Sequence, residues 1–154
     1  MKKSLTPGEA LNKAAAYCTL CERCISEVCN KLTSWGVTGE EQHSIIAWLK
    51  KEGFIDEARY CRAFVNDKVR FNHWGRIKIA AALREKQLPG EAISDAIEQI
   101  DKEQYLESLT AVIANKRKEL KGKEDYPTQQ KLSRGFELPL ILQTIKYKGD
   151  EMDF

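Results

Sequence analysis

Leu32, Leu83 and Leu132 lie 51 and then 49 residues apart, and aligning them brings three similar blocks of sequence into register. Each block has a long helical pattern ending in polar residues, a short one ending at the aligned leucine, and a third apolar one. The short helices are expected over residues 27–34, 76–86 and 127–134, and the third helices over 40–52, 90–100 and 138–147. Gly36 and Gly135 stop two of the short helices, and Gln87 takes the matching place in the middle block. A unit of about 50 residues buries little by itself. Units stacked in a row contact mainly their neighbours and form an elongated, curved body instead of one round core. The sequence therefore predicts an all-α protein of three tandem three-helix repeats. They would occupy residues 1–54, 55–101 and 102–148, with an acidic tail over 149–154.

Local helix signals agree with this division. Thr6-Pro7-Gly8-Glu9 offers an N-cap, a proline at the first helical position and a glutamate three residues after the cap, a capping box with the proline asymmetry of helix starts. The helix it opens is expected to run to about Arg23, since neither Gly nor Pro interrupts the chain between Gly8 and Gly36. Thr38 with Glu41 and Asp101 with Gln104 form further capping boxes, and Asp56 can cap a helix of its own. After Asp56, Ala58, Cys61, Val65 and Val69 recur at helical spacing; after Asp101, Tyr105, Leu109, Val112 and Ile113 fall on one face. No stretch alternates with period two, so no sheet is expected.

Composition excludes several classes. Hydrophobic residues make up 42% of the 154, and nine Gly and four Pro are too few for a collagen-like or low-complexity chain. The apolar content is too high, and the net charge of +2 too small, for a disordered one. Lys2 and Lys3 are followed by Pro7, Glu9, Asn12 and Lys13 and not by an apolar run, so no secretory signal is read. The longest apolar stretches, such as Ile45 to Leu49, are far short of the roughly 20 residues that span a bilayer. Cys18, Cys21, Cys24, Cys29 and Cys61 are an odd set, which suits free thiols in a reducing cytoplasm better than a disulfide framework.

The small net charge hides an asymmetry. Between Arg59 and Lys86 stand eight basic residues and two acidic ones, a net +6, so the rest of the chain carries −4. Lys116, Arg117, Lys118, Lys121 and Lys123 form a second basic group, whereas the end of the chain has Asp150, Glu151 and Asp153. Phe71, His73 and Trp74 lie inside the basic middle block. Such a block suits a polyanion or an acidic protein groove; it also suits plain solvation of helix faces. Phe71 and Trp74 read as packing residues at a helix junction before they read as base-stacking platforms.

Chemistry-bearing motifs are few. The spacing of Cys18, Cys21, Cys24 and Cys29 superficially resembles that of an iron–sulfur ligand loop. On a continuous helix, however, each three-residue step turns the side chain by about 300°, so the thiols drift around the surface. A structural role is therefore read for them, and for Cys61 that of a small buried hydrophobe. His43 and His73 have no patterned partner. There is no phosphate-binding glycine loop, no His-Glu-x-x-His and no Gly-x-Ser-x-Gly. No enzyme, metal or cofactor is expected.

The middle block, from Gly53-Phe54-Ile55-Asp56-Glu57 through Arg59-Tyr60 to Trp74-Gly75-Arg76-Ile77 and Leu83, resembles the RecX regulatory proteins of bacteria. In the first block Tyr17, Glu22, Arg23, Glu27, Val28, Lys31 and Leu32 fit that family's pattern, with Cys18, Cys21 and Cys24 where it has Leu, Arg and Ser. In the third, Ser133-Arg134-Gly135-Phe136 resembles its Arg-Arg-Gly-Phe corner. The likeness spans about Ala10 to Tyr147. Cys24 in place of Ser should weaken the cap of the second helix by about 1 kcal/mol while Glu27 remains.

This resemblance implies a non-catalytic modulator. It would bind the RecA recombinase and its filament on single-stranded DNA and inhibit strand exchange and ATP hydrolysis, as a cytoplasmic monomer with no membrane attachment. Charge clustering nominates Arg62, Arg70, Arg76, Lys78, Arg84 and Lys86, then Lys116, Arg117, Lys118 and Lys121, as the contacts to RecA or DNA phosphate. The alternative is a helical module that binds nucleic acid by itself.

Overall fold

The computed structural model describes residues 5–119 and 135–144. Seven helices run in order: α1 (Pro7–Leu20), α2 (Ile25–Ser34), α3 (Gly39–Lys51), α4 (Glu57–Arg70), α5 (Arg76–Glu85), α6 (Gly90–Glu98) and α7 (Lys102–Glu119). An eighth, α8, covers 138–144, and the described residues contain no strand. The fold is all-α, built of tandem three-helix repeats. The expected short helix over 127–134 and the acidic tail lie outside the described residues.

Helix starts follow the caps read from sequence at three of four places. Thr6 Oγ1 accepts from the Glu9 N–H at 3.2 Å. Asp56 Oδ1 accepts from Arg59 N–H and Asp101 Oδ2 from Gln104 N–H, each at 3.0 Å. Thr38 is the exception: it holds the N-cap position, but its side chain makes no cap bond. Gly39 follows it at φ 65°, which turns the first amides of α3 away from the hydroxyl. The Gln42 amide ties the start of α3 to α2 instead, donating to the Val37 carbonyl and to Thr33 Oγ1 at 3.0 Å.

Helix ends repeat the same chemistry. Val37 N–H reaches the Leu32 carbonyl and Gly36 N–H that of Thr33; Leu88 and Gln87 do the same to Leu83 and Arg84. Both are Schellman closures, which need a left-handed residue just past the helix. Gly36 (φ 82°) and Gln87 (φ 67°) supply it, so the two aligned leucines each accept the closing bond.

The core is divided in two. Ala10, Ala14 and Cys18 form a stripe of small buried side chains on α1. They let α1 approach Val28 and Leu32 of α2 and Ile45, Ile46 and Leu49 of α3, giving the first block a core of its own. The second core joins the other two blocks: Tyr60, Cys61, Val65 and Val69 of α4, Ile79 and Leu83 of α5 and Ile93 of α6 pack with Tyr105, Leu109 and Ile113 of α7 and with Phe136 and Ile141. Cys24, from the first block, is buried in this second core. No helix among the described residues is long and apolar enough to cross a membrane.

Candidate interaction surface

The blocks are joined by the same device twice. Four residues after their capping aspartates, Tyr60 and Tyr105 are both buried in the second core. Each meets the start of the short helix of the preceding block. At the first joint Glu27, on the first turn of α2, is hydrogen-bonded to Tyr60 and has Lys86 Nζ at 3.9 Å. Ser26 Oγ donates to the Lys86 carbonyl at 2.7 Å. Arg59 Nε holds both Glu22 oxygens, at 2.6 and 2.9 Å.

At the second joint the Tyr105 hydroxyl accepts from the Arg76 N–H at 2.9 Å and donates to Glu137, whose other oxygen pairs with the Arg76 guanidinium. The Ile77 N–H donates to the Gly135 carbonyl at 2.9 Å. In both joints the free N-terminal end of a short helix takes a carbonyl from the corner of the next block, which satisfies donors or hydroxyls a helix start leaves open. Tyr60 and Tyr105 carry little signal as single residues; their shared offset from Asp56 and Asp101 would have marked them.

These joints engage several of the nominated basic residues. Arg76 is bound to Glu137 and lies with its guanidinium 3.9 Å from the centroid of the Tyr105 ring. Lys86 faces Glu27. Lys78 places Nζ 4.4 Å from the Trp74 ring centroid, with Lys68 at 4.7 Å on the same ring. Arg62, Arg70 and Arg84 are exposed, and among the described residues none of them enters an ion pair. Lys118 is exposed and Lys116 half-buried with an interaction of its own. The side chain of Arg117, and all of Lys121, lie outside the described residues.

α4 presents two different stripes. Tyr60, Phe64, Lys68 and Phe71 line a cleft of about 560 Å³ that Cys21, Arg23 and Glu27 of the first block close from the other side. Phe64 stacks on Tyr60 and meets Trp74 edge-on. Trp74 is thus the packing residue its position suggested, whereas Phe71 is 75% exposed and packs against no core. The other stripe carries Arg62, Asn66 and Arg70 along a groove of about 320 Å³.

The thiols are not strung along one helix. α1 ends at Leu20 and the chain is extended at Cys21 and Cys24, so the continuous helix expected to Arg23 is broken. The reason is tertiary: the break turns the chain so that Cys24 caps α2 and enters the second core. Cys24 and Glu27 form a capping box: the Glu27 N–H reaches the Cys24 sulfur, and the Glu27 carboxylate accepts from the Cys24 N–H at 3.1 Å. Burial, with the nearby Glu57 charge, pushes the Cys61 thiol up to about 11, and burial raises Cys18, Cys24 and Cys29 as well. Raised thiols are poor nucleophiles and poor metal ligands near neutral pH. Among the described residues no group of three or more Cys, His, Asp or Glu is placed to hold a metal ion. His43 is exposed, and His73 is half-buried in the turn between α4 and α5.

Residues 56–97 match the family model "RecX, second three-helix domain". The chain is 26% identical over 141 residues to a Regulatory protein RecX of Prosthecochloris aestuarii, covering 89% of this chain and 91% of that one. It is also 26% identical over 108 residues to a Regulatory protein RecX of Lactobacillus johnsonii; that match takes in 70% of this chain but only 40% of the longer relative. Among solved structures, the crystal structure of RecX from Lactobacillus salivarius superposes with a TM-score of 0.79 at 20% identity, covering 92% of this chain and 95% of that one. The last is a likeness of fold.

Proposed function

Because the chain belongs to the RecX family of regulatory proteins, we propose that it binds the RecA recombinase and its filament on single-stranded DNA and lowers strand exchange and ATP hydrolysis. In this reading it acts by contact and not by catalysis, as a monomer in the cytoplasm. The observation that carries it is the second block. That block matches the family's three-helix domain and exposes Arg62, Arg70 and Arg84 without ion-pair partners among the described residues. Exposed cations on a rigid helical body raise the rate of encounter with an acidic or phosphate-bearing filament. Lys118, with Lys116, Arg117 and Lys121, would extend the contact along the third block. Arg76 and Lys86 would contribute by holding the blocks in register and Lys78 by covering the Trp74 ring of its own block, since their charged ends already have neighbours in the fold.

The test is RecA-dependent ATP hydrolysis on single-stranded DNA, titrated with this protein. Hydrolysis should fall with added protein, and the protein should co-sediment with the filament. Unchanged hydrolysis at saturation together with no co-sedimentation would reject the reading.

A further inference from the structure

We infer that the groove between α4 and the α6–α7 corner is a docking site for an extended acidic segment of a partner protein, with an aliphatic side chain between two carboxylates. The inference rests on the reading above only in naming RecA as the protein to try; the groove itself is argued from its chemistry.

Arg62, Asn66 and Arg70 are four residues apart and share one stripe of α4. At 1.5 Å per residue the two arginines stand about 12 Å apart along the helix. All three are exposed and line the groove. Behind them, Val65, Val69 and Ala96 make a buried apolar floor. Gln99 and Gln104 stand on the far wall. Among the described residues the one carboxylate in the lining is Asp101, and it is engaged as the cap of α7, accepting from Gln104 N–H.

An extended chain advances about 3.3 Å per residue, so carboxylates four residues apart match the two guanidinium groups. A guanidinium binds a carboxylate in a planar, two-pronged fashion. The side chain midway meets the apolar floor, and the Asn and Gln amides can pair with the backbone of an extended segment, as strand-type recognition requires.

The lining also separates protein from nucleic acid. Single-stranded nucleic acid is held by aromatic platforms beside basic side chains, and among the described residues no aromatic ring lines this groove. The rings of α4 belong to its other stripe, in the separate cleft.

The experiment uses the full chain and a fluorescein-labelled peptide with two acidic residues four positions apart and a leucine midway, read by fluorescence anisotropy. The variants are Arg62→Glu with Arg70→Glu, and Asn66→Trp, which fills the groove without changing charge. All three positions are exposed, and circular dichroism checks that helicity is kept. The peptide should bind wild type and weaken at least about tenfold in both variants. Replacing the leucine by serine should weaken it as well. Equal affinity in wild type and both variants, or no binding to wild type, overturns the proposal. So does tighter binding of oligo-dT than of peptide with the same loss in the variants, which would assign the groove to nucleic acid. A chain ending at Lys148 that binds the peptide more than about tenfold tighter would give the groove to this protein's own acidic end, and would equally overturn a partner site. Co-sedimentation with RecA filaments is run in parallel. Filament binding unchanged in the groove variants leaves the functional reading standing and removes RecA as the groove's occupant. Absence of filament binding by wild type sinks the functional reading, while the peptide still decides the groove.

Discussion

Gln87 occupies a place made for glycine. It closes α5 in the left-handed region, as Gly36 closes α2 with the same pair of backbone bonds. A residue with a Cβ loses about 1 kcal/mol there relative to glycine. Gln87 is exposed, so its side chain offers nothing to compensate. Gln87→Gly should therefore raise stability by about 0.5–1 kcal/mol, read as a higher urea midpoint at unchanged slope. Of all the residue-level readings, this was the most legible in sequence, because a helix end is a local event. The alignment of Gln87 with Gly36 carried its conformation. Cys24 was legible only in part. Its position as a cap was implied by the resemblance to the family pattern, which has Ser there, but its burial in the core of the next block depends on residues some forty positions away.

At the level of elements, α2 shows how a helix start is turned into a joint. Burial works against a charge on Glu27. The Cys24 N–H and thiol, the Tyr60 hydroxyl and the Lys86 ammonium outweigh it and hold the carboxyl below its ordinary value. A carboxyl depressed on folding stabilises the fold above its unfolded value, about 4.3, and that stability is lost as pH falls through the folded value. Glu27→Gln should cost about 1 kcal/mol near pH 7, and the gap to wild type should close progressively as pH falls below the ordinary carboxylate range. A gap that stays constant with pH would remove the charge from the account. Capping chemistry predicted α1, α4 and α7 correctly from four-residue windows. It failed at Thr38, where the left-handed Gly39 and the Gln42 amide, which reaches back to the preceding helix, replace the cap.

Across the whole molecule the blocks hold together through very close backbone approaches. A Cβ added at Gly75 would lie 2.3 Å from the Gly135 carbonyl oxygen and from the Phe136 nitrogen. Gly75→Ala must therefore push the second and third blocks apart and break the Ile77–Gly135 bond. The expected loss is about 2 kcal/mol or more, with Phe136 partly withdrawn from the second core. Gly90→Ala is the control, since nothing lies within 4 Å of its added Cβ; it should remain within about 0.5 kcal/mol of wild type. Equal effects of the two substitutions would mean that the close approach does not matter.

By itself the sequence determined the all-α class, the repeat of about 50 residues, most helix limits and the basic bias of the middle block. All of these depend on neighbours a few residues apart or on simple counts. Only the tertiary structure decided which charges remain free. Arg59, Arg76 and Lys86 looked equivalent to Arg62, Arg70 and Arg84 in the sequence. In the fold the first three meet Glu22, Glu137 and Glu27 across the joints, and the last three face outward. The reason is distance along the chain: those partners are separated by 37, 61 and 59 residues, beyond the reach of any periodicity, and only the stacking of blocks brings them together.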